Sequence, residues 1–193
     1  MLSKVLSKES CAKCRFCCSF RRCSLWETPL FPKDECEKLS HANEYNVISE
    51  FRMYDDCGQM KLEHKYKTDN QEEEAACDYL DVHKGCILSD EDKPFDCKIW
   101  PLRIMKKDDK LVIAFTPTCA ALGKEPSVEL KELVCGRLGD SIYEYARRHP
   151  FIIKDYKEAS QERSEDDSDL GYKSGQVIVE FKSNIDQNLN EDV

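Results

Sequence analysis

Cys11-Ala12-Lys13-Cys14-Arg15-Phe16-Cys17-Cys18 places four cysteines within eight residues, in the pattern C-x-x-C-x-x-C-C. Two residues between cysteines let both sulfurs reach a single ion, while nearby amides can turn toward the thiolates and offset their charge. A disulfide has no comparable need for this spacing. Lys4 and Lys8 stand in the first ten residues without the apolar run of a secretion signal, and no stretch approaches the length of a membrane span. These features predict a cytoplasmic protein. In that compartment thiols are kept reduced, so metal or redox chemistry explains the twelve cysteines better than a disulfide framework.

A second group follows at Cys77, Cys86, Cys97 and Cys119. Cys77-Asp78-Tyr79-Leu80 leads to a turn at Lys84-Gly85-Cys86, and Cys97 stands between Pro94 and Pro101. Prolines restrict the backbone and so help hold a ligand still. With Cys11, Cys14, Cys17 and Cys18 the total is eight thiols, enough for two four-sulfur sites. Side chains of adjacent residues tend to diverge, so Cys17 and Cys18 are expected to serve different ions, or one of them to point away. A bridged binuclear site is the alternative. C-x-x-C-x-x-C with one remote cysteine suits a [4Fe-4S] cluster. Paired C-x-x-C units without a following proline suit zinc equally. The metal, zinc or iron, stays open at this level.

Cys11, Cys14, Cys17 and Cys18, then Cys77-x-Tyr79-Leu80, Gly85-Cys86, Lys93-Pro94-x-x-Cys97-Lys98 and Trp100-Pro101, come in an order that resembles the YkgJ-type cysteine-cluster family. That family is described as a zinc- or iron-chelating domain, and the resemblance spans about residues 11–119. It implies a metal-binding protein with a structural or carrier role. Where many members have Arg-Pro and Cys-Arg, this chain has Lys93-Pro94 and Cys97-Lys98, which keeps the charge but loses the planar fork of arginine. The same domain occurs in a flagellin lysine-N-methylase, so the resemblance also implies an alternative, an iron-sulfur enzyme. No glycine-rich nucleotide loop, paired catalytic carboxylates or nucleophile elbow accompanies it, and likeness of domain is weak ground for a reaction. An adaptor that uses metal to shape a surface for a protein partner is the third possibility.

Charge is uneven. From Asp155 to Val193 eleven acids face four bases, so this stretch holds −7 of the net −9. Such a balance argues against nucleic acid as a partner, since phosphate binding draws on lysine and arginine. A local basic patch of Lys4, Lys8, Lys13, Arg15, Arg21 and Arg22 surrounds the cysteine run. Lys13, Arg15, Arg21 and Arg22 are placed to offset thiolate charge. Trp26 and Trp100 flank cysteines and could shield them from water. Cys23 is read as a non-ligand, Cys36 and Cys135 as apolar packing within helices, and His83 as outside the metal shell. Cys57 is left undecided.

Length and composition predict one small, irregular α+β domain over residues 1–156, organised around cysteine-bound metal, with an acidic tail over 157–193. A short helix is expected over 33–42 after Pro32, with Leu39 and Cys36 inward. A hairpin of 51–54 with 60–66 should turn at Asp55-Asp56-Cys57-Gly58. A second hairpin, 102–106 with 110–116, should put Leu111, Ile113 and Phe115 on one face. From Pro126-Ser127 an amphipathic helix should run to about Arg148 on Leu130, Leu133, Val134, Leu138, Ile142 and Tyr145, stopped by Pro150. Residues 151–156 read as one more packed segment, 177–181 as an edge strand, and the rest of the tail as mostly disordered.

Overall fold

The structure is a computed structural model that describes residues 2, 5–156 and 175–182. Its helices are α1 (Lys8–Cys14), α2 (Lys33–Leu39), α3 (Phe95–Ile99), α4 (Val128–Val134) and α5 (Arg137–Arg148). The strands are β1 (Ser19–Arg21), β2 (Leu30–Pro32), β3 (Phe51–Met53), β4 (Cys57–Met60), β5 (Glu74–Ala76), β6 (Leu80–Asp81), β7 (Gly85–Cys86), β8 (Leu102–Lys107), β9 (Lys110–Phe115), β10 (Lys154–Asp155) and β11 (Gln176–Lys182). They form a mixed α+β architecture of small sheets, ordered β10-β8-β9-β11, β2-β4-β3, β1-β5 and β6-β7.

The second hairpin forms where the alternation placed it, with Leu102 opposite Phe115 and Lys107 opposite Lys110. Successive strand residues face opposite sides. Leu102, Ile104, Leu111, Ile113 and Phe115 therefore meet Leu130, Val134, Leu138, Ile142 and Ala146 of the helices in one core. Met105, Val112 and Ala114 form a smaller cluster with Tyr156 and Val177. Burying each large side chain stabilises the fold by about 1.5–3 kcal/mol before chain entropy is charged against it.

The expected long helix is two helices. Ser127 caps α4 by accepting from the Leu130 N–H at 3.2 Å, and the chain leaves helical geometry at Gly136 (φ −119°, ψ −141°). An unbroken helix of that span would run roughly 30 Å, beyond the approximately 20 Å of a six-residue strand. The break lets both segments lie on the sheet. It also leaves Cys135 exposed at the end of α4, contrary to the packing role expected for it.

The first hairpin is shifted: β3 pairs with residues 57–60, where 60–66 was expected, and Phe51 faces Met60. The Tyr54 N–H donates to the Cys57 carbonyl at 2.8 Å, so the turn closes before Cys57 and Gly58. Gly58 lies inside β4 because a Cβ there would stand 2.6 Å from the Cys36 Sγ on α2. Cys36 and Cys57 are both buried. These elements enclose a second core, with Phe31, Leu39, Leu62 and Tyr79 fully inside.

Residues 151–156 do pack: β10 lies parallel to β8, with Lys154 opposite Met105. The edge strand expected at 177–181 is found as β11, antiparallel to β9. β11 thus joins the sheet of β8 and β9 from beyond the boundary expected at residue 156. The disorder expected for the remainder of the tail falls on residues 157–174 and 183–193, outside the described residues. Among the described residues no helix is long and apolar enough to cross a membrane.

Candidate functional site

Ser7 opens α1 by accepting from the Ser10 N–H at 3.2 Å. Cys11 and Cys14 are three apart on this helix and so share a face. The helix stops at Arg15, whose left-handed φ of 55° reverses the chain into a single 3-10 turn, Phe16–Cys18. A non-glycine residue there costs about 1–2 kcal/mol, which surrounding contacts must supply. The cysteine run is thus a helical turn followed by a tight reversal.

Strand pairing brings in the remote cysteines. The Cys77 N–H donates to the Cys18 carbonyl at 2.8 Å, continuing the β1–β5 ladder in which Ser19 faces Ala76. Cys86 on β7 faces Leu80 on β6. Next to it, Gly85 (φ +79°) lets α1 approach, since a Cβ would stand 2.9 Å from the Ala12 Cα. Cys97 enters from α3, which follows Pro94 directly, and buried Cys119 lies in the turn after β9.

Seven of the eight cysteines fall in two adjoining groups. Cys11, Cys14, Cys17 and Cys119 line one small pocket together with Phe16 and Trp100. Burial, then the neighbouring thiols of Cys17 and Cys119, raise the Cys11 pKa. Cys97 is pushed far up by burial and then by Cys77, Cys17, Asp96 and Cys86, which defines the second group. Burial also pushes Cys77 up to about 12, with Cys86 adding to it. Cys17 is raised chiefly by its side-chain hydrogen bond with Cys18 and then by burial. Both residues lie in a 3-10 turn, where neighbouring side chains do not alternate as on a strand.

Crowded thiols that oppose one another's ionisation are a donor set whose charge a cation would offset, since thiolates are the metal-binding form. Thiols are a donor type that both zinc and iron take. Closure is another matter: among the described residues no group of three or more His, Cys, Asp or Glu side chains stands in a geometry that would hold a metal ion. Cys11 and Cys14 are exposed.

Of the bases expected to offset the thiols, Arg21 pairs with Glu72 at 3.0 Å, Arg22 lies over the Tyr66 ring at 4.6 Å, and the Arg15 Nε donates to the Ala12 carbonyl. Lys93 is the cation that opposes the rise at both Cys11 and Cys17. Its place directly before Pro94 at the entrance to α3 was the available signal. Cys23 stands apart, its Sγ 3.7 Å from the Glu72 Oε1, and His83 is exposed. Trp100 lines the same small pocket as Cys17 and Cys119.

Sequence reasoning missed a second pocket on the other side of Cys17. Arg103, Lys154, Asp96 and Glu27 reach it, among walls that include Phe16, Phe20, Trp100 and Ile152. Burial, then the charge of Arg103, holds Lys154 down to about 8. Burial raises Asp96, although Lys154 and Arg103 oppose the shift.

No family model matches the chain, and neither does any curated protein or solved structure. The resemblance to the YkgJ-type family rests on the cysteine motifs themselves.

Proposed function

We propose that the chain is a cysteine-cluster protein that binds zinc or iron, the latter as an iron-sulfur cluster, in a structural role. The supporting observation is the convergence of Cys11, Cys14 and Cys17 with Cys119, beside Cys77, Cys86 and Cys97. Cys11, Cys14, Cys17 and Cys119 would hold one centre. Cys77, Cys86 and Cys97 would hold the other with Cys18, whose carbonyl is tied to the Cys77 amide. Coordination requires rotation of the thiol side chains from the positions they occupy. The metal would supply the positive charge that stabilises the thiolates, and Lys93 would add to it.

A structural role follows from where the ligands sit. Cys11, Cys14 and Cys97 fall on helices of five to seven residues, Cys17 and Cys18 on a single 3-10 turn and Cys86 on a two-stranded sheet, elements too short to persist unaided. Metal at these points staples segments that the hydrophobic cores leave weakly joined, and such binding free energy is folding free energy.

Anaerobic purification followed by an absorption spectrum and metal analysis of one sample tests this directly. Two zinc ions per chain without colour, or iron and labile sulfide with a broad violet band, are the supporting results. Substoichiometric metal in fresh protein overturns the proposal. Cys119→Ser and Cys97→Ser should each lose one centre and keep the other.

A further inference from the structure

The two groups of thiols differ in how far solvent reaches them. Cys11 and Cys14 are exposed, Cys17 is half-buried and Cys119 is buried, so the group that lines the small pocket is open from α1 and shut at the turn after β9. Its two open members share one helix of seven residues. That helix leans on β7 through the close approach at Gly85, so a local lifting of α1 frees two of the four thiols at once.

The inner group is lodged differently. Cys77 and Cys86 pack against the second core, and Cys97 sits in α3 between Phe95 and Ile99, both buried. None of the three is exposed. Freeing them means opening a core, whereas freeing Cys11 and Cys14 means lifting a short helix.

Exposure matters because a bound ion changes hands by attack. An incoming donor has to reach the ion and raise its coordination before a protein thiolate departs, and an apolar shell denies that approach. The incoming thiol gives up its proton as it binds and the departing protein thiolate takes one up, so charge balances and nothing is oxidised. Lys13, exposed between Cys11 and Cys14 in the chain, adds positive charge to the path of an anionic thiol.

We propose that the outer group, Cys11, Cys14, Cys17 and Cys119, is an exchange site that passes its metal to an external thiol, whereas the inner group keeps its metal. This rests on the metal-binding reading above and adds a transfer role to one of its two centres.

The full chain as purified, with its metal content measured first, is mixed with excess pyridylazoresorcinol as a coloured acceptor, and pulses of iodoacetamide followed by mass spectrometry show which cysteines are released. Half the metal should leave at least about tenfold faster than the rest, a difference of about 1.4 kcal/mol in barrier. Cys11 and Cys14 should be alkylated in the fast phase, and Cys77, Cys86 and Cys97 only in the slow one. Glutathione should hasten the fast phase alone. Cys119→Ser should lack the fast phase, and the labelling order in the unaltered chain decides the matter even if that variant fails to fold. A single phase, a fast phase that uncovers Cys77, Cys86 or Cys97 first, or one indifferent to glutathione overturns the proposal and leaves the metal reading intact. Substoichiometric metal before any acceptor is added overturns the metal reading, and this inference with it.

Discussion

The two ends of the molecule are held by different means. The β8–β9 hairpin with β11, α4 and α5 has strands of six and seven residues and a helix of twelve around one continuous apolar core, with only the two-residue β10 short among its strands. The part that carries α1 and β1 to β7 is built from strands of two to four residues, and its second core is bordered by Cys77 and Cys86. Hydrophobic burial suffices where long elements present whole faces to each other. Where elements are too short to do so, burial alone secures less, and six of the eight cysteines proposed as ligands, Cys11, Cys14, Cys17, Cys18, Cys77 and Cys86, lie in that part.

Chelation breaks this comparison most sharply. Removing metal should cost the cysteine part an apparent stabilisation of order 10 kcal/mol, the scale of structural thiolate sites. Hydrogen exchange should then lose protection over residues 11–97 while residues 102–115 and 128–148 keep theirs. Equal loss in both parts, or none, would break the division. The converse change is Ile113→Ala, which empties a fully buried position at the centre of β9. It should lower unfolding free energy by about 2–5 kcal/mol in denaturant titrations, by a similar amount with and without metal.

Gly85→Ala sharpens the comparison locally. A Cβ at 2.9 Å from the Ala12 backbone, on a residue at φ +79°, should cost about 1–3 kcal/mol by forcing α1 away from β7. Exchange at α1 amides should rise while β8 and β9 stay protected. An unchanged α1 would show that this close approach is not required.

The smallest effect belongs to the seam. Glu35 on α2 is raised to about 7, chiefly by burial, and its Oε2 is buried without a hydrogen-bond partner. Its charge also acts on Tyr145 of α5, which stacks on Phe95 at 3.7 Å. The folded state therefore holds the Glu35 proton more tightly than the unfolded chain. Stability is fullest below the ordinary glutamate pKa and falls as pH rises through about 7, by about 1–2 kcal/mol after allowance for solvent at this half-buried site. Glu35→Gln should flatten that slope and raise the melting temperature at pH 8. A slope unchanged in the variant would assign the pH dependence elsewhere.

Much of the larger part was legible because its signals are local. Alternation from Leu102 to Phe115 set the hairpin, and periodicity from Leu130 to Tyr145 set the helical face. The break at Gly136 was not legible, because one glycine is tolerated in a helix and only the length of the sheet makes the break necessary. The strand at Cys57–Met60 was missed for a related reason: Gly58 read as a turn residue, while its use is to let Cys36 approach. Lys93 was seen as part of a motif and not as the cation beside Cys11, because nearness across eighty residues leaves no periodic trace.

By itself the amino-acid sequence determined the kinds of element, the apolar faces of β8, β9, α4 and α5, and the cysteines available as ligands, since these depend on neighbours within a few residues. Tertiary structure alone decided that Cys119 joins Cys11 and Cys14 while Cys97 joins Cys77 and Cys86, and that Arg103 and Lys154 share a recess with Trp100. Those outcomes turn on strand register and chain reversal, which bring together residues whose separation along the chain carries no record of their meeting.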